Sequence, residues 1–191
     1  MQNPEIRVEH LQRMVPVAEY IESCVDIPKF YACCEACPNF GTRWSCPPFS
    51  FSAAEFWSGF ETLCLYGRKI YTPETWLAQS YAPEDLAERY HALLKPVKRE
   101  MMQKLWDMEA DQPGSVALSA GSCEICPEGC SRHASLPCRH PEQMRYSIES
   151  LGGDVGRSIE MYLGETLLWA ESGHLPAHFI LLGGLLMKGG L

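Results

Sequence analysis

The stretch CEICPEGCSRHASLPC places Cys123, Cys126, Cys130 and Cys138 close together in the chain. A CxxC pair closes a tight turn that brings two sulfurs toward one centre. Cys123 and Cys126 form such a pair, and Cys130 and Cys138 follow near enough to reach the same centre without long-range loop closure. Four thiolates hold either zinc or an iron–sulfur cluster. A zinc ribbon joins two CxxC pairs from separate knuckles, whereas here three cysteines crowd one short loop before the fourth arrives. That crowding suits the wider face of a [4Fe–4S] cubane, although the spacing is not that of the common ferredoxin run. Arg132, Arg139 and Arg145, with His133 and His140, surround the loop. A cluster with four thiolates carries net negative charge that such cations stabilise, so Arg139 and Arg145 are candidate cofactor-binding residues. Glu124, Glu128 and Glu142 offset these cations, and a solvated charged surface accounts for the same residues.

A second set lies in CCEACPNFGTRWSCPPFSF, residues 33–51. Cys34 and Cys37 make the usable pair, and Cys46 supplies a third candidate metal ligand. Adjacent Cys33 and Cys34 cannot easily both face one centre. The fourth position is open to Cys24, to Cys33, to a residue brought by the fold or to an exogenous ligand, and an open position is what catalytic metal sites keep. A proline-rich loop packing reduced, buried thiols is the alternative. Proline follows Cys37, Cys46 and Cys126 directly, stiffening each ligand loop and removing a backbone donor near the sulfur. Cys64 reads as core.

The chain that must position these loops has 191 residues, 46% hydrophobic and 21% charged, in keeping with a single metal-binding domain over 1–191 with cysteine-rich loops at 33–51 and 121–141. Ten cysteines in such a chain do not amount to a disulfide-stapled scaffold. Twenty-four acidic against sixteen basic residues give a net charge of −8, which repels phosphate backbones and argues against nucleic acid as partner. The N-terminus lacks the apolar run of a secretory signal, and FILLGGLLM at 179–187 is too short to span a bilayer. A cytoplasmic protein without a membrane partner is expected.

Along the chain, Val8, Leu11 and Val15 fall at helical spacing in a segment that starts at Asn3-Pro4 and ends at Pro16. A second short helix is expected at 17–23. The loop at 33–51 is too irregular for helix or strand, and Ser52 with Glu55 makes a capping box for a helix to about Glu61. Residues 62–72 lean to strand. Leu86, Tyr90, Leu93, Val97, Met101, Leu105 and Met108 form one apolar stripe over 83–110, with Pro96 predicting a kink or two consecutive helices. SVALSA at 115–120 reads as a strand delivering the chain to Cys123. Helices are expected from Pro141 to Leu151 and again from Gly156, and TLLWAES at 166–172 with FILLGGLLM at 179–187 as an antiparallel strand pair. With no regular βαβ alternation, the class is α+β: a mixed, mainly antiparallel sheet packed by helices.

CEACPNFGTRWSCPPFSF at 34–51, AGSCEIC at 120–126 and PCRHPEQMRYSIESLGGDV at 137–155 together resemble a domain-of-unknown-function family of bacterial and archaeal predicted metal-binding proteins. The LLW, LP and LLGGLL of the tail extend the resemblance over nearly the whole chain. It implies Cys34, Cys37 and Cys46 as one ligand set and Cys123, Cys126, Cys130 and Cys138 as the other. The family's occurrence in anaerobes favours oxygen-sensitive iron–sulfur chemistry over zinc. Among the matching residues, Gly41 reads as a turn with positive φ, Trp44 as an anchor through buried area, and Pro47-Pro48 as an extended exit.

Three functions fit these features. The first is an iron–sulfur protein that carries electrons or serves a larger redox system, with a protein redox partner. The second is a zinc-stabilised protein-interaction module, in keeping with a chain that carries no GxGxxG, P-loop, HExxH or GxSxG. The third is an enzyme that uses the three-cysteine loop as an open site.

Overall fold

The computed structural model describes residues 6–189. Its strands are β1 (Val8–Pro16), β2 (Thr62–Tyr71), β3 (Val116–Leu118) and β4 (His178–Met187). They form one antiparallel sheet in the order β1-β2-β4-β3, with registers Val8↔Ile70, Ile70↔Phe179 and Leu118↔Gly184. The helices are α1 (Val17–Cys24), α2 (Ile27–Glu35), α3 (Ala53–Ser58), α4 (Glu74–Leu77), α5 (Pro83–Asp111) and α6 (Val155–Ser158), the last continued by a π-helical turn at Ile159–Leu163. The α+β class holds.

Alternation along β2 explains how the sheet is covered on both sides. Leu63 and Leu65 face α1 and α3, in a core with Tyr20, Trp57, Leu151 and Ile159. Cys64, Tyr66 and Ile70 face the other way, toward Leu93, Val97, Met101 and Leu105 of α5. Burying a side chain of the Leu or Met class contributes ~1.5–3 kcal/mol, so the stripe on α5 is enough to fix this long helix across the sheet. Pro96 lies inside one continuous α5 rather than between two helices, and it sits on the exposed face of that helix.

Several expected elements take another form. The helix at Val8, Leu11 and Val15 is instead edge strand β1, and its expected start at Asn3-Pro4 lies outside the described residues. Leu11 and Val15 serve one face of the sheet and Val8 the other, which a three- and four-residue spacing imitates. Pro141–Leu151 is a run of turns ending in a 3-10 turn at Glu149–Leu151. There the Ser147 and Ser150 side chains bond the backbone locally and compete with helix formation. Residues 166–172 form no strand and do not pair with β4, which is bonded to β2 along its length and to β3 at Gly184–Leu186; only an isolated Glu171↔His174 bridge is present there. The loop expected from Cys33 starts later, since α2 runs through Cys33 and Cys34 to Glu35. Asp26 caps α2 by accepting from the Lys29 N–H at 3.1 Å. The helix over Ser52–Glu61 is confined to Ala53–Ser58, with the Ser52 hydroxyl accepting from the Glu55 N–H at 3.3 Å.

β3 reaches its place because Gly183 has no side chain. A Cβ there would lie 2.4 Å from the Leu118 carbonyl oxygen and 3.0 Å from Met101 Cε. The nearest obstacle is backbone, which cannot swing aside. Gly183→Ala is therefore expected to destabilise the fold by ~2–3 kcal/mol in urea unfolding. An unchanged midpoint would mean that β3 is not held this closely.

Candidate metal centre

β3 delivers the chain to the cysteine loop at 121–141, and α5 holds both ends of that loop. Near its start, Lys98 Nζ donates to the Ser122 carbonyl at 2.9 Å and pairs with Glu124 at 3.1 Å. Beyond its end, the Arg145 guanidinium pairs with Glu109 at 2.7 Å. Between these anchors, Cys123, Cys126, Cys130 and Cys138 all line one small cavity, together with Arg43, Trp44, Ser45, Ile125, His140 and Met144. The loop turns at two of the cysteines: the Cys126 carbonyl accepts from Gly129 N–H at 3.2 Å, and the Cys130 carbonyl from His133 N–H at 3.3 Å. Gly129 supports its turn with φ +87°. Burial pushes the Cys123 thiol up. Negative charge at Cys138, Cys126 and Cys130 would push it further, as expected of groups that face one another.

Cys34 lies in the last turn of α2 and Cys37 just past its end, where Cys37 N–H bonds the Cys34 carbonyl at 2.9 Å, closing the CxxC turn. Cys46 returns to them. Burial, and then the neighbouring Cys46, Cys37, Glu149 and Cys33, push the Cys34 thiol up to about 11. Burial also raises Cys46, against the Ser45 hydroxyl and the guanidinium groups of Arg43 and Arg132, which favour its thiolate. Both thiols hold their protons at neutral pH, so a metal must displace protons to bind there. Cys24 is buried in the core with Tyr20 and Trp57, and Cys64 is buried against α5. All ten cysteines are free. Among the described residues, no three His, Cys, Asp or Glu side chains are arranged to hold a single metal ion.

The two cysteine loops interlock through residues that are distant in sequence. The Ser45 hydroxyl accepts from Cys123 N–H at 3.0 Å and lies 3.8 Å from Cys46 Sγ, so one side chain touches both sets. Arg43 donates to the Cys123 carbonyl at 2.7 Å and to Asn39 Oδ1 at 2.7 Å. Arg132 donates the other way, to the carbonyls of Arg43 at 2.8 Å, Cys46 at 2.5 Å and Pro48 at 2.6 Å. Its guanidinium also lies over the Trp44 ring, 5.1 Å from the centroid, and Trp44 Nε1 donates to the Leu136 carbonyl at 3.1 Å. Trp44 thus anchors by these contacts while only half-buried. Gly41 has the positive φ its turn requires, +68°, and Pro47-Pro48 is a cis pair. Phe49, Phe51, Phe56 and Tyr146 stack behind the loops at centroid distances of 4.9–5.7 Å.

A family model described as "Predicted metal-binding protein (DUF2284)" matches residues 22–186, a span that contains both cysteine sets and the residues locking them together. The chain belongs to that family. No curated protein and no solved structure matches it. Among the described residues of this predicted metal-binding protein, no helix is long and apolar enough to cross a membrane.

Arg139 donates to the Gly129 carbonyl at 3.0 Å and braces the loop, while Arg145 is engaged by Glu109 and by the carbonyls of Glu142 and Met144. Arg43, Ser45 and Glu149 were not singled out from the sequence. Arg43 and Ser45 occupy the TRWSC run, so their position before Cys46 was the available signal. Glu149 had none.

Glu149 Oε2 is buried without a hydrogen-bond partner, and burial raises the carboxyl against the weaker pull of Lys98. A group raised in the folded state supports stability below its ordinary range and withdraws that support as pH climbs through the raised value. Glu149→Gln is accordingly expected to stabilise the metal-free protein by ~1 kcal/mol or more at pH 7, with the gap closing toward pH 4. Equal melting curves at pH 7 would show that the carboxylate has found a partner.

Proposed function

We propose that the loop from Cys123 to Cys138 binds a [4Fe–4S] cluster and that the protein transfers electrons, in the reducing interior of the cell, to or from a protein redox partner. The observation that carries this reading is the convergence of four thiols, from residues 123, 126, 130 and 138, on a single cavity. The donor set is all sulfur, as iron–sulfur clusters require. Arg43 lines the same cavity and would offset the cluster's net negative charge. Four sulfurs on one zinc ion, each bonded at ~2.3 Å, would stand only ~3.8 Å apart, whereas a cubane spreads them over four separate irons. The two centres thus differ in how far apart they hold four thiolates, and the cluster reading rests on the shared all-sulfur cavity.

The set at Cys34, Cys37 and Cys46 is a second metal site in this reading, one protein ligand short. Ser45 stands between the two sets, which would place two centres on one continuous electron path. The aromatic group behind them limits water, a property that tunes cluster potential. Protein purified without oxygen is expected to be brown, with broad visible absorption that dithionite bleaches and mild oxidation restores. A colourless preparation that retains zinc and unfolds when a chelator removes it would replace this reading with that of a zinc-fastened interaction module.

A further inference from the structure

A second, larger cavity of about 480 Å3 lies between α5 and the 119–125 segment. Its size falls in the range of small-molecule sites, roughly 300–1,000 Å3. Its walls include apolar surface from Ala92, Pro96, Met102, Trp106 and Ile125. Lys95, Lys98, Arg99 and Arg145 also line it, four of the sixteen basic side chains of a chain whose net charge is −8. Lys98 is paired with Glu124 and Arg145 with Glu109. Lys95 and Arg99 are exposed and make no ion pair among the described residues. Cys123 and Ile125 line both this cavity and the one shared by the four cysteines, so they form the wall between the two.

We propose that this cavity is a binding site for a small organic anion, with an apolar body against Met102, Trp106 and Ile125 and a carboxylate or phosphate head held by Lys95 and Arg99. Local positive charge concentrated in an acidic protein selects for an anionic head, and apolar walls select against a simple inorganic ion. Through Cys123, a bound molecule touches the loop that carries the proposed cluster. The site itself rests only on the cavity, and the link to redox chemistry rests on the cluster reading.

The probe is 1-anilinonaphthalene-8-sulfonate, an apolar body with one anionic group, titrated calorimetrically into the full chain purified without oxygen. One site per chain is expected, with affinity that falls as salt rises. The Lys95→Glu/Arg99→Glu double variant should weaken binding ~10-fold or more, and Ala92→Trp, which fills the cavity without changing its charge, should do the same. Lys104→Glu, on α5 outside the cavity, should bind as wild type does. Affinity within about twofold of wild type in both cavity variants, with the fold intact by circular dichroism, would overturn the proposal. The titration is repeated on Cys130→Ser protein. Binding that persists there keeps the anion site whatever the fate of the cluster reading, and binding lost in the cavity variants while the visible spectrum stays intact tells the two apart in the other direction.

Discussion

Cys130→Ser protein purified without oxygen is expected to lose about four irons per chain and the brown absorption they carry, whereas Cys64→Ala should keep both. Cys130 is one of four thiols around the cavity, and serine offers an alkoxide that is far harder to form than a thiolate at neutral pH. Cys64 is not among the residues around that cavity; it packs against Met101 and Leu105 of α5. The loss should leave the sheet standing, because the core around Leu63, Leu65 and Trp57 does not include the loop. Far-ultraviolet circular dichroism that changes little, alongside loss of colour, is therefore part of the expected result. If Cys130→Ser retained the wild-type iron content, the four-cysteine assignment would be wrong even though the thiols face one cavity.

The second large effect is expected at Arg132. This side chain makes three charge-assisted bonds to carbonyls of the other cysteine loop and stacks on Trp44. Hydrogen bonds to a charged group contribute ~1.5–3 kcal/mol each but are not additive, and part of this group is solvent-exposed, so Arg132→Ala is expected to cost ~2–4 kcal/mol in urea unfolding. Arg132→Lys should recover little, since an ammonium cannot reproduce a fork that reaches three carbonyls. The two cysteine sets should also lose their mutual placement, so oxygen should bleach the variant's visible absorption faster than that of wild type. A lysine variant as stable as wild type would show that charge, not geometry, is what Arg132 supplies.

That Cys123, Cys126, Cys130 and Cys138 line one cavity was legible because they are local: four thiols within one short segment can meet without long-range loop closure. The core-facing stripe on α5 and strands β2, β3 and β4 were legible for a related reason, each carrying its own periodicity. What escaped depends on partners far along the chain. β1 is a strand because β2 offers it an edge, and three apolar residues divided between two faces do not announce that. Residues 166–172 have strand composition, yet they form no ladder with β4, whose full-length partner is the distant β2. The clamp by Arg43, Ser45 and Arg132 spans about 80–90 residues in each contact, a distance over which side-chain type alone carries no pairing information. Nothing in the sequence pairs Arg145 with Glu109 on α5, which engages its guanidinium in the fold.

The most direct test is the count of iron and acid-labile sulfide per chain in protein purified and assayed under strict exclusion of oxygen. A cluster in the Cys123–Cys138 loop predicts at least about four of each, falling by about four of each in Cys130→Ser. One zinc per chain with no labile sulfide would contradict it.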